Sequence, residues 1–185
     1  MREGDIADVS LSELSLRSGL NSALVKYHFG NKAGLLTALL DRDWQAIVTS
    51  VDALVARDGW DPETKLRRHI SRAIDTFYAV PYLNRLTMRL MRESDEIEAR
   101  RIADQYLSPL YRAYEQMIGE GVGDGVFRPI DPQLFYFTVT GAVDRFFSAR
   151  PVLKHCFDQD TLTEELRDRY REHTVDIIMA GILVR

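Results

Sequence analysis

A single cysteine, Cys156, stands among the 185 residues. No disulfide can close within the chain, which excludes a small oxidised scaffold and makes the cytoplasm the expected compartment. Long hydrophobic runs are missing too. No stretch approaches the roughly 20 apolar residues of a membrane-spanning helix, and no signal peptide is read ahead of the first motif, so no membrane partner is expected. Positive charge is not in excess: 24 Lys and Arg face 28 Asp and Glu, for a net charge of −4. That excludes a protein that coats nucleic acid over its whole surface, and any basic face must be local. Sustained alternation of apolar and polar residues, the mark of half-buried strands, is absent as well.

Chemistry-bearing constellations are equally scarce. His155 and Cys156 adjoin, but two neighbouring ligands without a second pair do not make a zinc site. No Ser-His-Asp order carries a nucleophile-elbow context. The run from Gly119 to Gly125 lacks the preceding strand, the Lys-Ser/Thr pair and the following helix of a phosphate loop, and reads as a glycine-rich link after a helix. His69 and His173 sit among charged neighbours and are expected at the surface. No enzyme activity, no metal and no cofactor is expected.

What is present is helix. The chain is long enough for one or two small domains, with 45% hydrophobic and 28% charged residues. Leu35, Leu36, Leu39, Leu40, Ile47, Val48, Val51, Leu54 and Val55 recur at three and four, predicting one amphipathic helix from about Asn31 to Arg57. Trp44 falls on or beside that stripe. Asp61-Pro62-Glu63 is a strong helix start, and Leu66, Ile70, Ala73, Ile74 and Phe77 keep the period up to Pro81. A shorter helix carries Leu83, Leu86, Leu90 and Met91, and a long one runs from about Asp95 to Gly119. Asp131-Pro132 opens a helix to about Ala149, and Thr161 with Glu164 forms a capping box for the last one, striped by Leu162, Leu166, Tyr170, Ile177 and Ala180. The fold class is all-α.

The N-terminal segment is the most informative. Ser10 with Glu13 is a capping box, Leu11, Leu14 and Leu16 give an apolar side, and Gly19 can end the helix sharply. Asn21 or Ser22 caps a second helix in which Leu24, Val25 and Phe29 can face inward. Two short helices about a tight turn are the layout of a DNA-reading helix-turn-helix, and of many helical proteins that touch no nucleic acid. On the first reading Asn21, Ser22, Ala23, Lys26, Tyr27 and His28 face DNA. Asn31-Lys32 then opens the next helix, where N-terminal amides and the Lys32 ammonium suit a phosphate oxygen.

Residues 10 to 40 resemble the DNA-binding region of the tetracycline-repressor (TetR) family of transcriptional regulators. Ser10, Gly19, His28-Phe29, Asn31 and Lys32 match the family pattern, and Gly34-Leu35-Leu36 continues it. One departure is visible: Lys26 stands where the family usually has an aromatic, with Tyr27 beside His28. The resemblance implies a helix-turn-helix domain over residues 1–45 and a helical effector-binding and dimerisation domain over 46–185. It also implies a homodimeric repressor on a near-palindromic double-stranded operator, its binding controlled by a small-molecule effector, largely apolar. Only nine residues precede Ser10, where the family has a supporting helix of roughly four turns. The expectation is therefore a DNA-binding domain lacking its first helix, and the competing reading is a dimeric ligand-binding module without autonomous DNA binding.

Two further sets follow. Phe77, Tyr78, Met88, Met91, Tyr106 and Leu110, with Tyr111, Tyr114, Met117 and Phe137, offer aromatic and thioether surface for a largely apolar pocket, or for plain core. Arg85, Arg89 and Arg92 are read as a solvated face. The helix from Pro132 is apolar nearly all round, so a partner subunit is the simplest cover. The resemblance pairs the last two long helices across a dimer, which nominates Phe135, Val139, Val143, Phe146 and Phe147 on one and Leu166, Tyr170 and Ile177 on the other.

Overall fold

Helix starts are written plainly in this chain, and most are used. The computed structural model describes Ser10, Glu13, Leu16, Gly19 and residues 22–184, with the Ser22 side chain left aside. Leu11, Leu14 and Asn21 lie outside the described residues. Nine α-helices are defined among the described residues: α1 Ser22–Phe29, α2 Lys32–Val55, α3 Pro62–Ala79, α4 Leu83–Glu93 and α5 Glu96–Ile102. They continue with α6 Ser108–Gly123, α7 Pro132–Ser148, α8 Arg150–Phe157 and α9 Glu164–Ile182. The one β-type pairing among the described residues is an isolated bridge between Phe127 and Leu183. None of these helices is long and apolar enough to cross a membrane.

The chain parts into two compact units. The first draws on residues up to Ile47 and on Tyr82–Tyr106; the second on Val48–Pro81 and the residues from Leu107 onward. By contact, α4 and α5 cluster with the N-terminal segment. Polar ties between side chains account for it. The indole Nε1 of Trp44 donates to Thr87 Oγ1 at 2.8 Å in a buried setting, and the Tyr106 ring stacks on that indole. The hydroxyls of Tyr82 and Tyr106 donate to Asp43 and Asp41.

Within the second unit α3 is the hub. Asp61 caps it, accepting from Thr64 N at 2.9 Å, and Pro62 occupies its first turn, where a missing N–H costs nothing. Its inward side buries Leu66, Ile70 and Ile74 against α6, α7 and α9. Arg171 of α9 reaches Asp75 of α3 at 2.8 Å, and Lys65 reaches Glu120 of α6 at 3.1 Å. Ahead of α3, the half-buried Trp60 ring lies under the guanidiniums of Arg57 and Arg68, at 4.6 and 5.6 Å.

Several expectations are corrected. The helix expected from Asp95 to Gly119 is interrupted by a π-helical turn over Ala103–Leu107. Pro109 explains it: it has no N–H for the Gln105 carbonyl and its ring would crowd that oxygen, so a wider turn accommodates both. The glycine-rich run is not a link, because α6 continues to Gly123. Gly121 is required by close packing, since a Cβ there would collide with the Phe127 ring. The last helix is capped by Thr163, whose Oγ1 accepts from Leu166 N at 3.1 Å, and not by Thr161. Helix α8 was not anticipated; it follows α7 across Ala149.

Candidate functional site

Helix α1 has eight residues and one inward anchor, Val25. Leu24 and Phe29, expected inward, are exposed. Ala23, Lys26, Tyr27 and His28 are exposed too, and Tyr27 is 82% so. The Tyr27 and His28 rings meet edge to face at 5.1 Å. Gly30, at φ 71°, ends the helix. Asn31 then caps α2 through its Oδ1, which accepts from Gly34 N at 2.9 Å. Gly34 is the residue that lets the two helices join so tightly: a Cβ there would collide with the Phe29 carbonyl oxygen. Lys32, the first residue of α2, is half-buried. Ser10 Oγ accepts from Glu13 N at 3.1 Å, the cap read from the sequence.

The aromatic set expected to form a pocket is divided. Met88, Met91 and Tyr106 belong to the first unit, where Tyr106 is enclosed against Trp44. In the second unit Phe77, Leu110 and Tyr111 are half-buried, and Tyr78 lies under the Arg167 guanidinium at 5.0 Å. Phe137 is 62% exposed and turned outward. Met117 and Tyr114 are fully buried. Tyr114 gathers a cluster: its ring stands edge to face with Phe135 at 5.9 Å, with Tyr136 at 5.8 Å and with His69 at 4.5 Å. Tyr111 meets Tyr136 at 6.3 Å.

His69 and Tyr136 were missed by the sequence reading. His69 is only 3% exposed, although its neighbours Arg67, Arg68 and Arg72 suggested a surface position. The signal was its place on the stripe, three after Leu66 and four before Ala73. Its Nε2 is buried with no hydrogen-bond partner. Burial, helped by the Arg72 charge, lowers its pKa to about 4, so the ring is uncharged at neutral pH. Burial likewise pushes the Tyr114 and Tyr136 hydroxyls up, so both stay protonated.

The face nominated for a partner subunit is redistributed. Phe135, Val139, Val143 and Phe147 recur every fourth residue along α7 and are enclosed by the chain's own helices. They cannot meet a partner without unfolding this core. Phe146 and Tyr170 stack nearly parallel at 3.7 Å, and Tyr170 Oη donates to the Ala142 carbonyl at 2.8 Å. With Leu166, Arg169, Glu172 and His173 they line an open groove of about 440 Å³. Helix α9 buries Thr174, Val175, Ile178 and Met179 on one side. Its other side carries Ile177, 59% exposed, and α7 carries Leu134 outward, 66% exposed.

The family of the tetracyclin repressor-like C-terminal domain matches residues 59–185. The chain belongs to the TetR family. No curated protein matches its sequence. Among solved structures, the ketosteroid transcriptional regulator KstR2 of Mycobacterium tuberculosis is 14% identical with a TM-score of 0.78, covering 100% of this chain and 89% of that one. The MbdR regulator from Azoarcus sp. CIB is 18% identical with a TM-score of 0.75, covering 98% and 92%. The regulator FadR from Bacillus subtilis, solved in complex with stearoyl-CoA, is 16% identical with a TM-score of 0.68, covering 95% and 90%. At such identities the likeness is one of fold: a TetR-family transcriptional-regulator fold. The TetR match spans α3 to α9, the helices that hold both the Tyr114 cluster and the outward apolar face.

Proposed function

We propose that this TetR-family chain is a homodimeric transcriptional repressor controlled by a small-molecule effector. The observation that carries the reading is the exposure pattern of α1. One residue, Val25, anchors the helix while Ala23, Lys26, Tyr27 and His28 stand outward, ahead of the capped start of α2 at Lys32. A short helix presenting a small residue, a cation and a phenol suits base edges, and the amides at the α2 N-terminus suit a phosphate. Ser22 and Asn21 belong to the same proposed face. Two copies would read half-sites about 34 Å apart on a near-palindromic operator.

Dimerisation is supported by the apolar side chains turned outward on α7 and α9, Leu134, Phe137 and Ile177, all of them exposed. Phe146, Leu166 and Tyr170 line a separate open groove between α7 and α9. An effector with a large apolar body is supported by the aromatic cluster of the second unit around Tyr111 and Tyr114. Relatives named for ketosteroid regulation and solved with stearoyl-CoA agree with that chemistry. Such a ligand relieves repression only if it binds the DNA-incompetent state more tightly than the competent one.

Fluorescence anisotropy on a duplex enriched by the protein from a random library tests the interface. Lys32→Ala should weaken binding to all sequences alike and flatten the log-log salt slope by about 1, whereas Tyr27→Ala should change sequence preference. Binding untouched by both substitutions would place the reading surface elsewhere.

A further inference from the structure

Three side chains that carry hydrogen-bonding groups meet in the second unit, and the imidazole among them is left unpaired. His69 comes from α3, Tyr114 from α6 and Tyr136 from α7, and their rings form a continuous edge-to-face chain at 4.5 and 5.8 Å. His69 Nε2 is buried and unpartnered. Tyr114 is 1% exposed and Tyr136 is half-buried beside it. A buried polar group left unpaired costs on the order of 1–3 kcal/mol, so an orphaned imidazole among these rings is a poor core but a good seat.

We propose that His69, Tyr114 and Tyr136 form the polar seat of the effector site and take a neutral ligand that presents one hydroxyl or carbonyl on an apolar body. This rests on the effector-controlled reading above and gives that site a ligand class. The charge balance disfavours an anionic head. Of the nearby cations, Lys65 is paired with Glu120, and Arg72 is exposed and turned to Ser50, whose Oγ lies at 3.3 Å, so water and salt screen its charge. From α6, Glu115 lies beside the Tyr111 hydroxyl at 3.4 Å, and the carboxylate of Asp131, at the start of α7, also acts on that phenol. A carboxylate guest would meet an uncharged imidazole and protonated phenols at the seat, with two carboxylates acting on the neighbouring Tyr111. A phenol or ketone would exchange hydrogen bonds with the imidazole and the tyrosine hydroxyls while its body packs on the rings of Tyr111 and Phe135.

Calorimetric titration of the full chain with 4-ethylphenol, ethylbenzene and 4-ethylbenzoate tests this. The phenol should bind at least about tenfold more tightly than either of the others, and should move the ¹⁵N resonances of the His69 ring. His69→Leu and Tyr136→Phe should each weaken the phenol about five- to tenfold, the value of one buried hydrogen bond. Tyr136→Phe removes a single oxygen and guards against a folding defect at His69. Absence of phenol binding, equal affinity for the benzoate, an unmoved His69 resonance, or indifference to both substitutions overturns the seat and leaves a buried water as the partner of these groups. If the phenol binds and moves His69 while affinity for the enriched duplex stays constant, the seat stands and effector control fails.

Discussion

His69→Leu should make the free protein more stable, and by an amount that depends on pH. At neutral pH the wild-type ring is uncharged and its Nε2 unpaired. Leucine removes that penalty and keeps an apolar side chain in the same core, so a gain of about 1–2 kcal/mol is expected near pH 7.5. The acid side adds to it. In the unfolded chain the imidazole takes up a proton below its ordinary 6.5; in the folded chain burial and Arg72 hold it off until about 4. The unfolded state therefore binds more protons between those values, and the folded wild type loses stability as pH falls through that window. The displacement from 6.5 to about 4, at about 1.4 kcal/mol per pH unit, comes to about 3 kcal/mol, all of it absent from the leucine variant. Carboxylates with lowered values, such as Glu120 and Asp61, are shared by both proteins and cancel in the difference. Urea unfolding at one fixed protomer concentration, at pH 7.5, 6.5, 5.5 and 4.5, should show the advantage of His69→Leu growing steadily below pH 6.5. A difference that stays flat across that range, or a variant less stable at pH 7.5, would refute the reasoning.

Two further substitutions probe the scaffold and the partner face. Asp61→Ala removes the bonds to Thr64 that start α3, and should cost about 1 kcal/mol, read as a melting temperature lower by about 2–4 °C; an unchanged midpoint would show the cap to be idle. Phe137→Glu with Ile177→Glu places charge on side chains already exposed in the protomer, so helicity should persist. The dimer should weaken by at least about tenfold in sedimentation velocity, and a dimer that survives would put the interface elsewhere.

Helix starts were legible because their chemistry is local. Asp61-Pro62, Asp95, Asp131-Pro132 and Ser10 each cap where an acid or hydroxyl precedes a first turn. The side of a helix that turns inward was harder to read. On α9 two apolar lines coexist, and the one read from spacing, Leu166, Tyr170 and Ile177, is the outer line, while Val175, Ile178 and Met179 enter the core. Periodicity shows that a stripe exists and cannot rank two of them. His69 was misread because charged neighbours were weighed above its phase on α3, and the π turn was missed because Pro109 sits inside a helix that otherwise looks continuous. The membership of α4 and α5 was invisible for another reason: it depends on the Trp44–Thr87 bond and on tyrosines reaching Asp41 and Asp43, contacts of long sequence separation.

The two tryptophans give the molecule a built-in pair of optical probes. Trp44, enclosed and bonded through its indole nitrogen to Thr87, reports on the first compact unit; Trp60, half-buried beneath two guanidiniums, reports on the second. Their surroundings differ enough for the enclosed indole to emit at shorter wavelength than the one at the cationic loop. Replacing either with phenylalanine isolates the other, so the melting of each unit can be timed separately in otherwise identical chains.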